Sequence, residues 1–362
     1  MRIAVTGTRG IPNILGGIET HCEEVFPRIA ARGYDVTIIR RKSYAHDHLQ
    51  EYKGVKLMDI HAPHVKALEA IVHTFKAVHA AKFKLKVDVL HVHAVGPALV
   101  IPYAKLLGMK VVFTNHGPDY ERDKWNLLAK FMLRLGEKFS VRFSDQIIVI
   151  SKVINTILRT KYGREDAHLI YNGISPSVFH EDAEYLRALG VDSRNYIFAM
   201  GRFVAEKNFD QLIRAFTAVG DKKGYRLVIA GDANFEDIHS IELKKLAREN
   251  NIVLTGFIRG DKLHTLLSNA SVFVLPSSHE GLPISLLEAM NYGLPTVVSD
   301  IPANREVDLP EENYFQVNNE NELAEKLQKH ILRGYQPVSY DMSRYNWDEL
   351  ADQIIQVYQS LK

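Results

Sequence analysis

Short β-branched runs alternating with helical stretches recur along this chain in two separate series, and that alternation limits the fold more than any other feature. The first series runs through Ile3 to Thr6, Val36 to Ile39, Val55 to Asp59, Val89 to His93, Val111 to Thr114 and Gln146 to Ile150. The best helical pattern is Gly17 to Arg32, where Ile18, Cys22, Val25, Phe26 and Ile29 keep the 3.6-residue period and Pro27 marks a site for a kink. Strand alternating with helix implies a parallel sheet, because parallel strands need crossovers that lay helices on both faces. After the turn-rich Tyr171-Asn172-Gly173-Ile174-Ser175-Pro176, a second series opens at Tyr196 to Gly201 and continues through Leu227 to Ala230, Ile252 to Leu254, Val272 to Leu275 and Thr296 to Ser299. The prediction is an α/β chain of two Rossmann-like, doubly wound domains facing each other across a cleft, residues 1–175 and 190–344, with a linker near 172–194. The closing segment 345–362 carries Leu350, Ile354, Ile355 and Tyr358 at helical spacing and is expected to pack back on the first domain.

Composition agrees with two domains. The length of 362 residues exceeds the roughly 250 to 300 at which one core stops growing. The single cysteine, Cys22, excludes an internal disulfide and a cysteine-based zinc site, and it fits a reducing compartment, so a cytoplasmic location is expected. Met1 to Gly7 runs directly into a strand-and-glycine pattern and is read as no secretory signal. The most apolar stretch, Val87 to Phe113, is interrupted by His91, His93, Pro97, Pro102, Lys105 and Lys110, so any membrane contact is expected to be peripheral. The formal net charge of +2 hides an asymmetry: residues 61 to 160 carry +8 and the remainder −6. Such a basic region attracts phosphates of an anionic membrane or a nucleic acid, or is a solvated helical face.

Three loops carry chemistry. The first is Thr6-Gly7-Thr8-Arg9-Gly10-Ile11-Pro12-Asn13-Ile14-Leu15-Gly16-Gly17-Ile18-Glu19, between a strand and a helix. Small residues there admit an anion or a substrate oxygen to backbone N–H groups at a helix N-terminus, or simply allow a tight turn. Its glycines do not match G-x-G-x-x-G, which counts against a dinucleotide-binding dehydrogenase. The second loop, Gly201-Arg202-Phe203-Val204-Ala205-Glu206-Lys207-Asn208, sets two cations five residues apart at a strand end. Arg202 can grip a diphosphate bidentately and Lys207 can add a compact charge, together neutralising a leaving group. The third, Ser277-Ser278-His279-Glu280-Gly281-Leu282-Pro283-Ile284-Ser285-Leu286-Leu287-Glu288, places Glu280 before a helix that Pro283 can start and Glu288 inside it. Glu288 can accept both hydroxyls of a ribose, while Glu280 can face positive charge developing at an anomeric carbon.

Taken together, the Gly16-Gly17 loop, Asn115-His116-Gly117, Asn172-Gly173-Ile174, Gly201-Arg202 with Lys207, and Glu280 with Glu288 resemble the retaining GT-B glycosyltransferases of family 4. The opening Val5 to Pro12 with Gly16 to Glu19 looks like the subgroup that includes bacterial surface-polysaccharide rhamnosyltransferases. The resemblance implies a nucleotide-sugar donor (UDP-, GDP- or dTDP-) and a glycan or polyprenyl-diphosphate-linked acceptor. By the same resemblance Arg202 and Lys207 hold the donor diphosphate, Glu288 the ribose and Glu280 the donor sugar. Gly16 and Gly17 close on phosphate or acceptor, and Ile258, Leu282 and Ile284 line the donor site. His116 corresponds to the family's histidine near the reacting centre and positions the donor sugar.

No Asp-x-Asp occurs in the sequence, so the usual carboxylate clamp for a metal-bound diphosphate is missing and neither metal nor cofactor is expected. His91 and His93 are read as pointing to opposite faces of their strand, which argues against a shared metal ion. The basic stretch Arg122 to Arg142, with Trp125, Leu127, Leu128, Phe131, Met132, Leu135 and Phe139 among its cations, either packs its apolar face on the core or lies on an anionic membrane. A GT-B-fold sugar-nucleotide epimerase and a non-catalytic glycan- or RNA-binding protein stay open beside the transferase, although no nucleic-acid-binding module is present and none is expected as a partner.

Overall fold

The computed structural model describes residues 1–63, 69–121, 125–233 and 236–361. Arg122 and Lys124 of the basic stretch, and Lys362 of the closing segment, lie outside them. Two compact units account for the chain: Met1–Gly173 together with Tyr345–Lys362, and Ile174–Arg344.

The first unit is built on an eight-stranded sheet of β1 (Arg2–Thr6), β2 (Asp35–Arg41), β3 (Glu51–Tyr52), β4 (Val55–Ile60), β5 (Val89–His93), β6 (Lys110–Asn115), β7 (Gln146–Val149) and β8 (His168–Leu169), in the order β3-β4-β2-β1-β5-β6-β7-β8. Every neighbouring pair is parallel except β3 with β4 at one edge. All five residues of β5 are buried, as expected for a central strand covered on both faces. The covering helices include α1 (Gly17–Ala31), α2 (Glu69–His79), α3 (Ile101–Leu106), α4 (Leu127–Phe143) and α5 (Lys152–Tyr162). In α1 the predicted stripe is the core face: Cys22, Val25, Phe26 and Ile29 are fully buried, and Pro27 sits inside the helix without ending it. Because β1, β5 and β6 are adjacent and in register, Thr6 beside Val92 and His93 beside Thr114, the loops that follow them leave the same edge of the sheet side by side.

The second unit holds α6 (Ala183–Ala188), then β9 (Tyr196–Met200), α7 (Phe209–Ala218), β10 (Arg226–Ala230), α8 (Ile238–Glu249), β11 (Val253–Leu254), α9 (Asp261–Asn269), β12 (Val272–Leu275), α10 (Ile284–Asn291), β13 (Thr296–Ser299), α11 (Pro302–Arg305), β14 (Tyr314–Phe315) and α12 (Glu320–Arg333). Its six strands are all parallel, in the order β11-β10-β9-β12-β13-β14. Ile197, Phe203, Phe209, Leu212, Leu227 and Val274 belong to one buried cluster between sheet and helices. Of the residues predicted as linker, 174–194 are part of this unit. The Tyr292 hydroxyl accepts from the Val178 N–H at 3.1 Å and donates to the Val178 carbonyl at 3.0 Å, and the Ser268 hydroxyl accepts from the His180 N–H at 3.0 Å. These side chains meet the backbone demands of an irregular segment, which turn-rich composition does not reveal.

The last helix, α13 (Trp347–Gln359), belongs to the first unit. Leu350, Ile354, Ile355 and Tyr358 are buried on it, and Arg28 of α1 and Arg32, just past its end, pair with its Asp348 and Asp352. The Tyr358 hydroxyl lies 2.6 Å from His91 Nδ1, while His91 Nε2 lies 2.7 Å from the Thr114 hydroxyl. Among the described residues no helix is long and apolar enough to cross a membrane.

Burial lowers the pKa of His91 to about 3 and that of His73 to about 4. The unfolded chain therefore binds more protons than the fold between the ordinary histidine pKa of about 6.5 and these values, so stability falls as pH falls through that window. By pH 4 the loss is on the order of 3 kcal/mol per histidine. Urea midpoints followed by near-ultraviolet circular dichroism should drop steadily from pH 7 to pH 4.5, and midpoints that stay constant would contradict the assignment.

Candidate active site

In the second unit the carboxyl edge of the sheet gathers the loops that follow β11, β10, β9 and β12, which are neighbours in that order. Gly231, at the end of β10, has φ 142°, and a Cβ there would stand 1.8 Å from the Gly201 carbonyl oxygen, so the two strand ends approach backbone to backbone. The Gly231 N–H donates to the Gly256 carbonyl at 2.9 Å, which ties in the loop carrying half-buried Ile258. Beyond Gly201 come half-buried Arg202, a single 3₁₀ turn over Ala205–Lys207, and Asn208 at φ 49°, where α7 begins.

Two hydrogen bonds stitch this loop to the one after β12. Asn208 Nδ2 donates to the Pro276 carbonyl at 3.1 Å, and the Ser278 N–H donates to the Glu206 carbonyl at 2.9 Å. They deliver Lys207 Nζ to Glu280 Oε1 at 2.5 Å, with the two side chains only 16% and 12% exposed. Partial burial makes such a pair stronger than a surface ion pair. An ammonium has three N–H donors and Glu280 takes one, so the same lysine can also serve an anion. Pro283 precedes α10, whose first residue is Ile284. Leu282 is buried, and Glu288 is half-buried midway along the helix.

In the first unit the loop after β1 wraps a carboxylate of its own chain. Glu19 accepts from the Thr8 hydroxyl at 3.2 Å and the Arg9 N–H at 3.0 Å, and lies 3.6 Å from the Arg9 guanidinium. Gly16 is at φ 156°, a conformation that L side chains rarely adopt, and a Cβ there would stand 2.1 Å from Glu19 Oε2 and push that carboxylate aside. Gly17 borders open space, so the glycine pair divides into one constrained position and one free one.

His116 follows β6, with its Nε2 2.9 Å from His93 Nδ1. His21 on α1 meets His116 edge-on, ring centres 5.1 Å apart, and its Nδ1 lies 3.0 Å from Asn172 Oδ1. Trp347, the first residue of α13, packs edge-on against His21 at 5.6 Å. A Cβ on Gly173 would stand 2.7 Å from the Trp347 ring, so Asn172-Gly173 orients a histidine and clears space for the tryptophan above it. The expectation for His91 and His93 is overturned: residues two apart on a strand share a face, and their rings stack with centres 4.3 Å apart. Burial lowers the His21 pKa to about 4 and holds His93 and His116 well below the usual histidine value. All are neutral near pH 7, and an imidazole so reluctant to be protonated is a weak general base there.

The structure thus brings Lys207 to Glu280, and His116 to His93 and His21, while Arg202 and Ile258 stand on the same sheet edge as Lys207 and Glu288 lies in the helix after Glu280. Gly231, Asn208, Ser278 and Asn172 hold these groups in place and went unassigned in the sequence. Gly231 had a readable signal, a glycine directly after a strand, whereas the stitching hydrogen bonds had none.

Two family models match consecutive parts of the chain: "Glycosyltransferase Family 4" over residues 15–178 and "Glycosyl transferases group 1" over residues 182–345. An uncharacterized glycosyltransferase of Methanocaldococcus jannaschii is 27% identical, with 99% of this chain and 98% of that protein covered. The UDP-Gal:alpha-D-GlcNAc-diphosphoundecaprenol alpha-1,3-galactosyltransferase of Escherichia coli is 24% identical over 80% of this chain and 78% of its own. Among solved structures, HepE of Anabaena, in complex with UDP and glucose, is similar in fold, with a TM-score of 0.80 at 18% identity and coverage of 99% and 100%.

Removing the ammonium with Lys207→Met takes that cation from half of a partly buried ion pair and should destabilise the second unit by about 1–3 kcal/mol. Adding Glu280→Gln should recover part of that loss. A thermal double-mutant cycle checks this, and additive effects would mean that the pair is not coupled.

Proposed function

We propose that this chain, which belongs to the glycosyltransferases described by those two family models, moves a sugar from a nucleotide diphosphate to a lipid-linked or glycan acceptor with retention at the anomeric carbon. The observation that carries the reading is the Lys207–Glu280 pair, at 2.5 Å, on the loops after adjacent strands β9 and β12. As the bond from the anomeric carbon to the diphosphate oxygen breaks, negative charge collects on the leaving group. Lys207 and Arg202 stabilise that charge, so the reaction is proposed to need no metal and no cofactor. Glu280 faces the positive charge left on the sugar, and Glu288 accepts the ribose hydroxyls. Ile258, Leu282 and Ile284 line the rest of the donor site. The acceptor oxygen forms the new glycosidic bond on the face the diphosphate leaves, and its proton passes to the departing phosphate oxygen. His116, neutral at working pH, orients the donor sugar rather than moving a proton, and the loop at Gly16-Gly17 is assigned to the acceptor side.

A UDP-, GDP- or dTDP-sugar donor is supported by the UDP and glucose bound to HepE of Anabaena and by the activity for which the Escherichia coli relative is named. That activity also supports a polyprenyl-diphosphate-linked acceptor, and a relative named for amylovoran biosynthesis supports a polysaccharide product. The Val5 to Pro12 opening, similar to that of rhamnosyltransferases, makes dTDP-rhamnose one of the donors to test.

Docking on the cytoplasmic face of an anionic membrane is part of this reading. On α4 the buried side is Gly136, Glu137, Ser140 and Val141, while Leu127, Leu128 and Phe131 are exposed, at 87%, 71% and 59%, ahead of exposed Arg134, Lys138 and Arg142. Apolar anchors followed by cations on one stripe match the depth profile of a lipid surface.

One nucleotide sugar among the three base classes should raise the melting temperature and be consumed in the presence of a polyprenyl-diphosphate-sugar acceptor. Lys207→Ala should lower kcat/KM by about 10²–10³, and consumption without acceptor would instead identify an epimerase. Vesicles containing phosphatidylglycerol should sediment the wild type but not a Leu127→Ser, Leu128→Ser, Phe131→Ser variant, and equal sedimentation of the two would remove the membrane assignment.

A further inference from the structure

We propose that His21, His93 and His116 form a binding site in the first unit for one borderline divalent transition-metal ion, of which Zn²⁺ and Co²⁺ are the representatives. One ring nitrogen from each residue lies within 4.8 Å of the other two. Three imidazoles with the fourth position left to water is a donor set that suits such ions.

The hydrogen-bond pattern points to a missing ligand rather than to a closed core. Asn172 Oδ1 can only accept, so His21 Nδ1 carries the proton and Nε2 presents its lone pair. That nitrogen is buried and has no hydrogen-bond partner among the described residues. Buried polar nitrogens left this way are costly and rare. The Asn172 carbonyl is the kind of outer partner that fixes the tautomer and direction of a metal-binding histidine.

Bond lengths of about 2.0–2.1 Å to a tetrahedral ion place its ligand nitrogens about 3.4 Å apart. The widest separation must therefore close, and the His93–His116 contact at 2.9 Å must open slightly. His116 can make that adjustment: it is half-buried, stands just past the end of β6 and is followed by Gly117 at φ 132°. Binding exchanges the hydrogen bond between two imidazoles for a metal bond to each. The site shares no residue with the diphosphate-binding set, and ion binding does not depend on the proposed reaction, although His116 serves in both. Where that reaction also holds, the ion withdraws His116 from the sugar and inhibits transfer.

The test is a Co²⁺ titration of the full-length, tag-free chain followed by visible absorption. One ion per chain with the intense bands of four-coordinate Co²⁺ is expected, and Zn²⁺ should abolish them by competition. Asn172→Leu should weaken binding by about 10–100-fold, His116→Gln should remove the bands, and His46→Ala with His48→Ala, both exposed residues, should leave them intact. X-ray absorption on the Zn²⁺-loaded wild type requires no variant, and a count of three imidazoles is expected. Six-coordinate spectra, oxygen-dominated coordination, or bands that survive His116→Gln and disappear with the His46 and His48 substitutions would overturn the proposal.

Discussion

The parallel sheet, covered on both faces, is the constraint from which the rest of this molecule follows. A strand such as β5, buried along its whole length, has no solvent to satisfy its backbone, so every N–H and C=O must find a partner in the ladder. Side chains with chemical work to do are then left to the strand ends. Crossovers of one hand return the chain to the same side each time, so the carboxyl ends of adjacent strands and their loops collect along one edge. In the second unit that edge holds Gly201, Gly231 and the Lys207–Glu280 pair, and in the first it holds Gly7, His93 and His116.

The two edges solve different electrostatic problems. In the second unit a cation and an anion are kept together behind a partial shield, which spares each the cost of standing alone away from water. In the first unit the same pressure acts on imidazoles, which answer it by staying uncharged and by stacking or hydrogen bonding with one another. A charged pair suits an anionic leaving group, whereas a neutral cluster suits hydroxyls or a metal ion.

Legibility in the sequence tracked the range of the interaction. Long apolar strands, the α1 stripe and the amphipathic α13 are local patterns and were readable, as were Lys207 and Glu280, whose motifs lie directly after strands. The two-residue strands β3, β8 and β14 are edge pairings too short to have a period, and α6 hid inside a turn-rich passage. Asn172 meets His21 across 151 positions, and nothing local to either residue announces the other. The error over His91 and His93 was of another kind: the two-residue period was in plain view, and it puts both rings on one face. The paired glycines likewise needed coordinates, since only Gly16 presses against Glu19.

The return of α13 gives the chain an unusual order of assembly. Tyr358 closes a contact with His91 across 267 positions, and everything between them that forms the second unit leaves the ribosome first. During synthesis the second unit has all its residues available while the first still lacks a covering helix, with the histidine side of its sheet and the apolar face of α1 open. The unit made first is therefore the one completed last, and the histidine side of its sheet gains its covering helix only after the whole second unit has been made.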